Sequence, residues 1–152
     1  YDPDKHSDLA EKLDKLDGII LEAVKKYVHP MDSEEWDSVT SSETAADYWN
    51  RLSKKSPIFL AFDESNDELI GFLSISLNTG WKNTISISSI AVDSYYRGTG
   101  ASTGLMRTAL EWGRSEGFKY VIYNTQATNT PSRKFAEKFG MKLFTVGYYG
   151  EL

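Results

Sequence analysis

The stretch AVDSYYRGTGASTGLMRTALEW, Ala91 to Trp112, ends a run of alternating apolar residues and opens a helix. Gly98, Gly100 and Gly104 stand at that junction, behind Arg97. Chain reversal needs one glycine; three leave the main chain bare, so that its N–H groups at a helix N-terminus can approach an anion. Several unrelated folds carry such loops, and the surroundings separate them. A Walker loop needs Gly-Lys-Ser/Thr next, and none follows. The spacing of the three glycines is similar to a dinucleotide fingerprint with a wider last interval. That fingerprint belongs after the first strand of a βαβ unit, with an acid about 20 residues on for the ribose. Here three strand-like segments precede the loop, and Tyr120 to Thr125 hold no acid. What remains is a strand ending at Val92, a loop Arg97-Gly98-Thr99-Gly100-Ala101-Ser102, and a helix beginning inside it. This is a pocket suited to a pyrophosphate, with Arg97 adding charge at its mouth.

Working outward, the period of the apolar residues assigns the rest. TISISSIAV (Thr84 to Val92) alternates at first as a half-buried strand does. IFLAF (Ile58 to Phe62), the polar turn DESND and ELIGFLSISL (Glu68 to Leu77) predict an antiparallel hairpin. Before Pro57 helical spacing returns: Ala46, Trp49 and Leu52 share one side of a stretch from Glu43 to Lys54. Leu9, Leu13, Leu16, Ile20, Val24 and Tyr27 form an amphipathic stripe that Pro30 closes; Gly18 interrupts it, which allows two short helices. MDSEEW offers Asp32 or Ser33 as a helix cap. Downstream, Gly100 to Glu116 is helical, with Leu105, Ala109 and Trp112 on one face and Gly117 ending it. YVIYNT (Tyr120 to Thr125) is a strand. Asn129 or Thr130 caps a further helix with Pro131 in its first turn, running to Phe139, and KLFTVGYY (Lys142 to Tyr149) is a last strand. This order describes an α/β (α+β) chain: a mixed, mostly antiparallel sheet with helices on both faces.

At 152 residues the chain fits one domain, 1–152, with an N-terminal helical segment over 1–30 and a core over 57–149. It holds no cysteine, which excludes disulfides, thiolate zinc sites and a cysteine nucleophile. His6 and His29 lie far apart and read as surface residues, so no metal is expected. No apolar run approaches the roughly 18 residues of a membrane span, and no signal peptide is visible, so the expectations are no membrane and a cytoplasmic location. Tyr1 in place of methionine leads us to expect a product trimmed or cut from a longer one. The net charge of −5 argues against nucleic acid. It is unevenly spread: eight Lys and Arg against four Glu give residues 97–152 +4, while nine against eighteen Asp and Glu give residues 1–96 −9. A polyanion is thus expected at the second half and a cationic substrate nearer the first.

At this point the chain resembles the GNAT superfamily of acyl-CoA-dependent N-acetyltransferases. Their signature, Arg/Gln-x-x-Gly-x-Gly/Ala between a strand and a helix, here reads Arg97-x-x-Gly100-x-Ser102. Serine at the last place departs from it and still lets the backbone approach. A second signature lies at the expected distance in NTPSRKFAEKFGM, with Asn129, Ser132, Phe135, Glu137, Lys138, Gly140 and Met141 in the family's places. The resemblance covers roughly Ile58 to Tyr149. It implies acetyl-CoA as cosubstrate and a core that holds the acyl-CoA site. It also implies a strand ending SIAV that splays from its neighbour to leave a V-shaped gap for the pantetheine arm. The backbone of Ile90, Ala91 and Val92 would line that gap, Arg97 through Ser102 would hold the pyrophosphate, and Asn129, Ser132 and Phe135 would border the cosubstrate. An ordinary helix cap is a sufficient role for Asn129 as well.

Acetyl transfer to an amine needs a neutral amine, a donor to the oxyanion and, for many thiolates, a proton. The resemblance implies the Val92 N–H as the donor. It also implies a tyrosine after the aromatic at Phe135, where this chain has Ala136, and a glutamate on the strand that here carries Ser86, Ser88 and Ser89. Both usual acid/base places are empty. Tyr123 and Gln126, beside the gap, and Tyr148 and Tyr149, on the last strand, are the replacement candidates. A second departure is that the family's first strand and its closing hairpin are incomplete here. The outer strands are absent, or a partner chain or a detached segment supplies them, and an open edge invites pairing with a second copy as a homodimer. The function expected is N-acetyl transfer from acetyl-CoA to a primary amine of a small molecule, an amino sugar among them, or of a peptide. A non-catalytic acyl-CoA-binding or sensing domain is the alternative, and an NADP-dependent oxidoreductase resting on the glycine spacing is a weaker one.

Overall fold

The computed structural model of the chain describes residues 1–25 and 43–145. A short helix α1 (Pro3–His6) and a 3-10 turn lead into α2 (Ala10–Lys25), followed by α3 (Ala45–Ser53). Three strands come next, β1 (Ile58–Asp63), β2 (Glu68–Ser76) and β3 (Thr84–Val92), then a 3-10 turn at Ser94–Tyr96. Helix α4 (Ala101–Ser115), strand β4 (Tyr120–Tyr123) and helix α5 (Thr130–Lys138) complete the order. The sheet runs β1-β2-β3-β4, antiparallel except for the β3/β4 pair.

The two faces of the sheet carry separate cores. On one, Ala10, Leu13 and Leu16 of α2 and Trp49 of α3 pack with Ile58, Leu69, Phe72 and Ala91. On the other, Leu105, Met106 and Ala109 of α4 meet Leu73, Ile75, Ile85 and Ile87, and Phe135 of α5 and Phe139 just after it pack at the rim. Gly18 does not divide the first helix: α2 is continuous across it. A mid-helix glycine costs roughly 0.5–1 kcal/mol, less than the roughly 1.5–3 kcal/mol recovered by burying each of Leu13 and Leu16.

The segment expected as a last strand is only partly described. Residues 142–145 are not in a strand, and 146–152, with Tyr148 and Tyr149, lie outside the described residues, as does the MDSEEW cap. β1 and β4 are the outer strands among the described residues. YVIYNT pairs only as far as Tyr123.

One irregularity shapes everything downstream. The β2/β3 ladder passes from Ile75↔Ile87 to Ser74↔Ser89, so Ser88 has no opposite residue. The doubled serine in ISISSIAV is thus a β-bulge. It resets the alternation, so that Ile85 and Ile87 before it and Ile90 and Val92 after it all pack on the α4 side.

Candidate functional site

The bulge sits where β3 loses a neighbour. β3 and β4 pair from Thr84↔Tyr120 to Ile87↔Tyr123, and there β4 ends. Beyond, Ser89 to Val92 pair with β2 on one side, and among the described residues no strand lies on the other. A bulge bends its strand, which parts the two at that point. Ile90, Ala91 and Val92 therefore lie along the arm of a fork whose apex is the Ile87/Tyr123 pair.

From the end of that arm the chain turns at once. The Asp93 N–H donates to the Ile70 carbonyl (2.8 Å), and the Asp93 carboxylate accepts from the Tyr95 N–H (3.0 Å). Thr99 donates its N–H (3.3 Å) and hydroxyl (2.7 Å) to the Tyr96 carbonyl. Gly98 and Gly100 follow with φ of 83° and 97°, left-handed values that disfavour any side chain. Gly100 is the N-cap of α4 without a side-chain cap bond, and its carbonyl accepts from Gly104 (2.9 Å). Among the described residues, the N–H groups of Gly98, Gly100, Ala101, Ser102 and Thr103 have no acceptor. Five free donors at the positive end of a 15-residue helix make a ready site for anionic oxygen. Among the described residues nothing lies within 4 Å of where a Cβ on Gly98 or Gly100 would stand, so on their side the approach is open. The exposed Arg97 flanks it.

The loop is held from behind. Lys12 of α2 pairs with Glu68 of β2 (2.6 Å), whose other carboxylate oxygen accepts from the Tyr96 hydroxyl (3.4 Å). Partial desolvation and the Asp63 carboxylate push the Tyr96 hydroxyl above its usual range. Asp63 is itself held below the carboxylate range by the Ser65 N–H (2.9 Å) and hydroxyl (2.8 Å).

Helix α5 closes the opposite side. Buried Asn129 caps it, its side chain accepting from the Ser132 N–H (3.2 Å), which is the ordinary cap geometry. The Ser132 hydroxyl lies 2.7 Å from the Tyr123 hydroxyl. Phe135 packs edge-on to Phe139 and faces Tyr123, so its ring is engaged in the core rim. Gln126 is half-buried and its carbonyl accepts from the Asn129 N–H (3.0 Å). Ala136, one turn beyond Ser132, shares the wall of a cavity of about 920 Å³ with Tyr123. The Lys138 ammonium, given no role by the sequence motif, donates to the Thr103 hydroxyl (3.2 Å) in the first turn of α4. It thereby places a second cation beside the free N–H row. No sequence rule links those two residues, which lie 35 apart.

The structure therefore brings Ile90 to Val92, Arg97 to Ser102 and Tyr123 with Ser132 around one fork, with Asn129 and Phe135 behind it; Tyr148 and Tyr149 are outside the described residues. Among the described residues no group of three or more His, Asp or Glu is arranged to hold a metal. None of the helices among them is long and apolar enough to cross a membrane.

Residues 22–141 match the model of the acetyltransferase (GNAT) family. The matched span contains both the glycine loop and the α5 motif. Streptothricin acetyltransferase of Escherichia coli is 33% identical over 82 residues, 54% of this chain and 44% of that one, so the match spans less than half the length of that relative. Among solved structures, a mutant of the BH1408 protein from Bacillus halodurans superposes with a TM-score of 0.75 over 96% of this chain and 95% of its own, at 18% identity. A Bacillus anthracis protein assigned as a streptothricin acetyltransferase, in complex with acetyl coenzyme A, has a TM-score of 0.50 at 30% identity over 55% of this chain and 46% of its own.

Proposed function

The chain belongs to the GNAT acetyltransferase family, and on that premise we propose that it transfers an acetyl group from acetyl-CoA to a primary amine. The observation that carries this is the row of five N–H donors at the start of α4 that have no acceptor among the described residues, at the end of a strand arm with no neighbour among them. In the proposal, Gly98 to Ser102 and Thr103 hold the pyrophosphate, with Arg97 and Lys138 adding charge. The arm Ile90 to Val92 borders the pantetheine as a neighbouring strand would. The Val92 N–H is the donor to the thioester oxygen. Bound there, acetyl-CoA supplies the acyl group. The protein supplies alignment, which alone lowers a barrier by several kcal/mol.

The acceptor proposed is the amine of a small molecule. The Escherichia coli and Bacillus anthracis relatives, both named for streptothricin, support starting there, with amino sugars and peptide amines as the next classes. Assaying thiol release from acetyl-CoA against such a panel tests the proposal: turnover with at least one amine is expected. A second reading, an acyl-CoA-binding domain without turnover, draws support from Ala136 and from a β3 that carries serines where an acid would serve. Tight binding with no turnover for any amine would favour it.

A further inference from the structure

The apex of the fork holds a hydroxyl pair that the proposed function leaves without work. Tyr123 is the last residue of β4 to pair with β3, opposite Ile87 and beside the Ser88 bulge where the strands part. Its hydroxyl lies 2.7 Å from that of Ser132, and either oxygen can be the donor. Ser132 stands in the first turn of α5, its own N–H fixed by the Asn129 side chain. Ala136 follows four residues on, so the two share a helix face. A methyl group at 136 leaves that position of the face without a phenol, while Tyr123 brings one to the Ser132 hydroxyl from the facing strand.

We propose that Tyr123, held by Ser132, is the acid that protonates the departing thiolate; this rests on the acetyl-transfer reading above. With Ser132 donating to the Tyr123 oxygen, the phenol's own proton is free to point into the fork. The amine nitrogen forms the new C–N bond as the carbonyl π pair moves to oxygen. As that pair returns, the C–S bond breaks with its electrons on sulfur, and Tyr123 gives its proton to the sulfur to make the thiol. The nitrogen releases its surplus proton to water, and water returns one to Tyr123, so one proton passes in net from amine to sulfur. Tyr123 is the catalytic residue and Ser132 its positioning residue.

The test combines binding and turnover. Tyr123→Phe keeps the ring contact with Phe135 and is expected to leave the calorimetric affinity for acetyl-CoA unchanged while kcat falls about a hundredfold. Ala136→Tyr in the Tyr123→Phe background should restore most of kcat, because it returns a phenol to the same face from the helix side. Ser132→Ala should lower kcat without raising KM for acetyl-CoA, and Ser132→Thr should retain it. Full kcat in Tyr123→Phe, or a double variant no better than Tyr123→Phe alone, would overturn the assignment while leaving acetyl transfer standing. A wild-type protein that fails to bind acetyl-CoA would overturn both.

Discussion

Gly100 is the residue on which the site turns. Its φ of 97° is one that a branched side chain reaches only at a cost of about 1–3 kcal/mol, and a side chain there would also enter the open approach to the free N–H row. Gly100→Val is therefore expected to weaken acetyl-CoA binding by about tenfold or more while the protein stays folded. Calorimetric affinity beside a circular dichroism melt checks both halves, and unchanged affinity would remove the loop from the site. The loop and its glycines were legible in the sequence because left-handed backbone and a helix start are local properties. The Tyr123–Ser132 and Lys138–Thr103 contacts were not, since each joins two separate elements whose relative placement no local pattern fixes.

At the scale of the element, two glycines that look alike in the sequence behave differently. A Cβ on Gly71 of β2 would stand 2.7 Å from the Ala91 carbonyl oxygen, on the strand arm of the fork, and backbone cannot step aside. Gly71→Ala should cost about 1–3 kcal/mol in urea unfolding. Among the described residues a Cβ on Gly113 of α4 would meet only the Ile85 side chain, whose terminal Cδ1 at 2.8 Å can turn away. The gain of about 1 kcal/mol in helix propensity offsets that, so Gly113→Ala should be close to neutral. A loss in Gly113→Ala as large as that in Gly71→Ala would show that Ile85 cannot turn away, and no loss in Gly71→Ala would show that the fork is not closely packed.

In α2, burial with Asp14 nearby raises the pKa of Asp17, and Tyr48 of α3 shares that environment. The unfolded chain gives up this proton at lower pH than the folded one. Stability therefore falls as pH rises through the window from the ordinary aspartate range to the raised value, and stays lower above it. Asp17→Asn should raise Tm at neutral pH, and the gain should vanish in acid below the aspartate range. A gain that is the same at both pH values would contradict the burial account. The continuous α2 was not legible for a related reason: the Gly18 signal is local, whereas the packing of Leu13 and Leu16 that overrides it is not. The doubled serine of β3 was visible as a break in alternation, but only pairing with β2 shows it to be a bulge.

Across the whole molecule, the unequal charge of the two halves has a structural counterpart. Arg97 and Lys138 flank the N–H row, and Arg107, Arg133 and Lys134 stand on the same two helices, α4 and α5. A polyanionic cosubstrate should be drawn to that side, and its affinity should fall as salt rises. Fold class, the order of the described elements from α2 to α5 and the glycine loop were legible because hydrophobic period and two spaced motifs carry them. The proposed acceptor was not, since no comparable motif marks a place for it. A calorimetric titration of the protein with acetyl-CoA, with NADPH as the control, tests the α4 loop directly. Saturable one-to-one binding of acetyl-CoA, weakened by salt and absent for NADPH, is the result predicted. No heat with acetyl-CoA, or preference for NADPH, would contradict the assignment of the α4 loop as an acyl-CoA site.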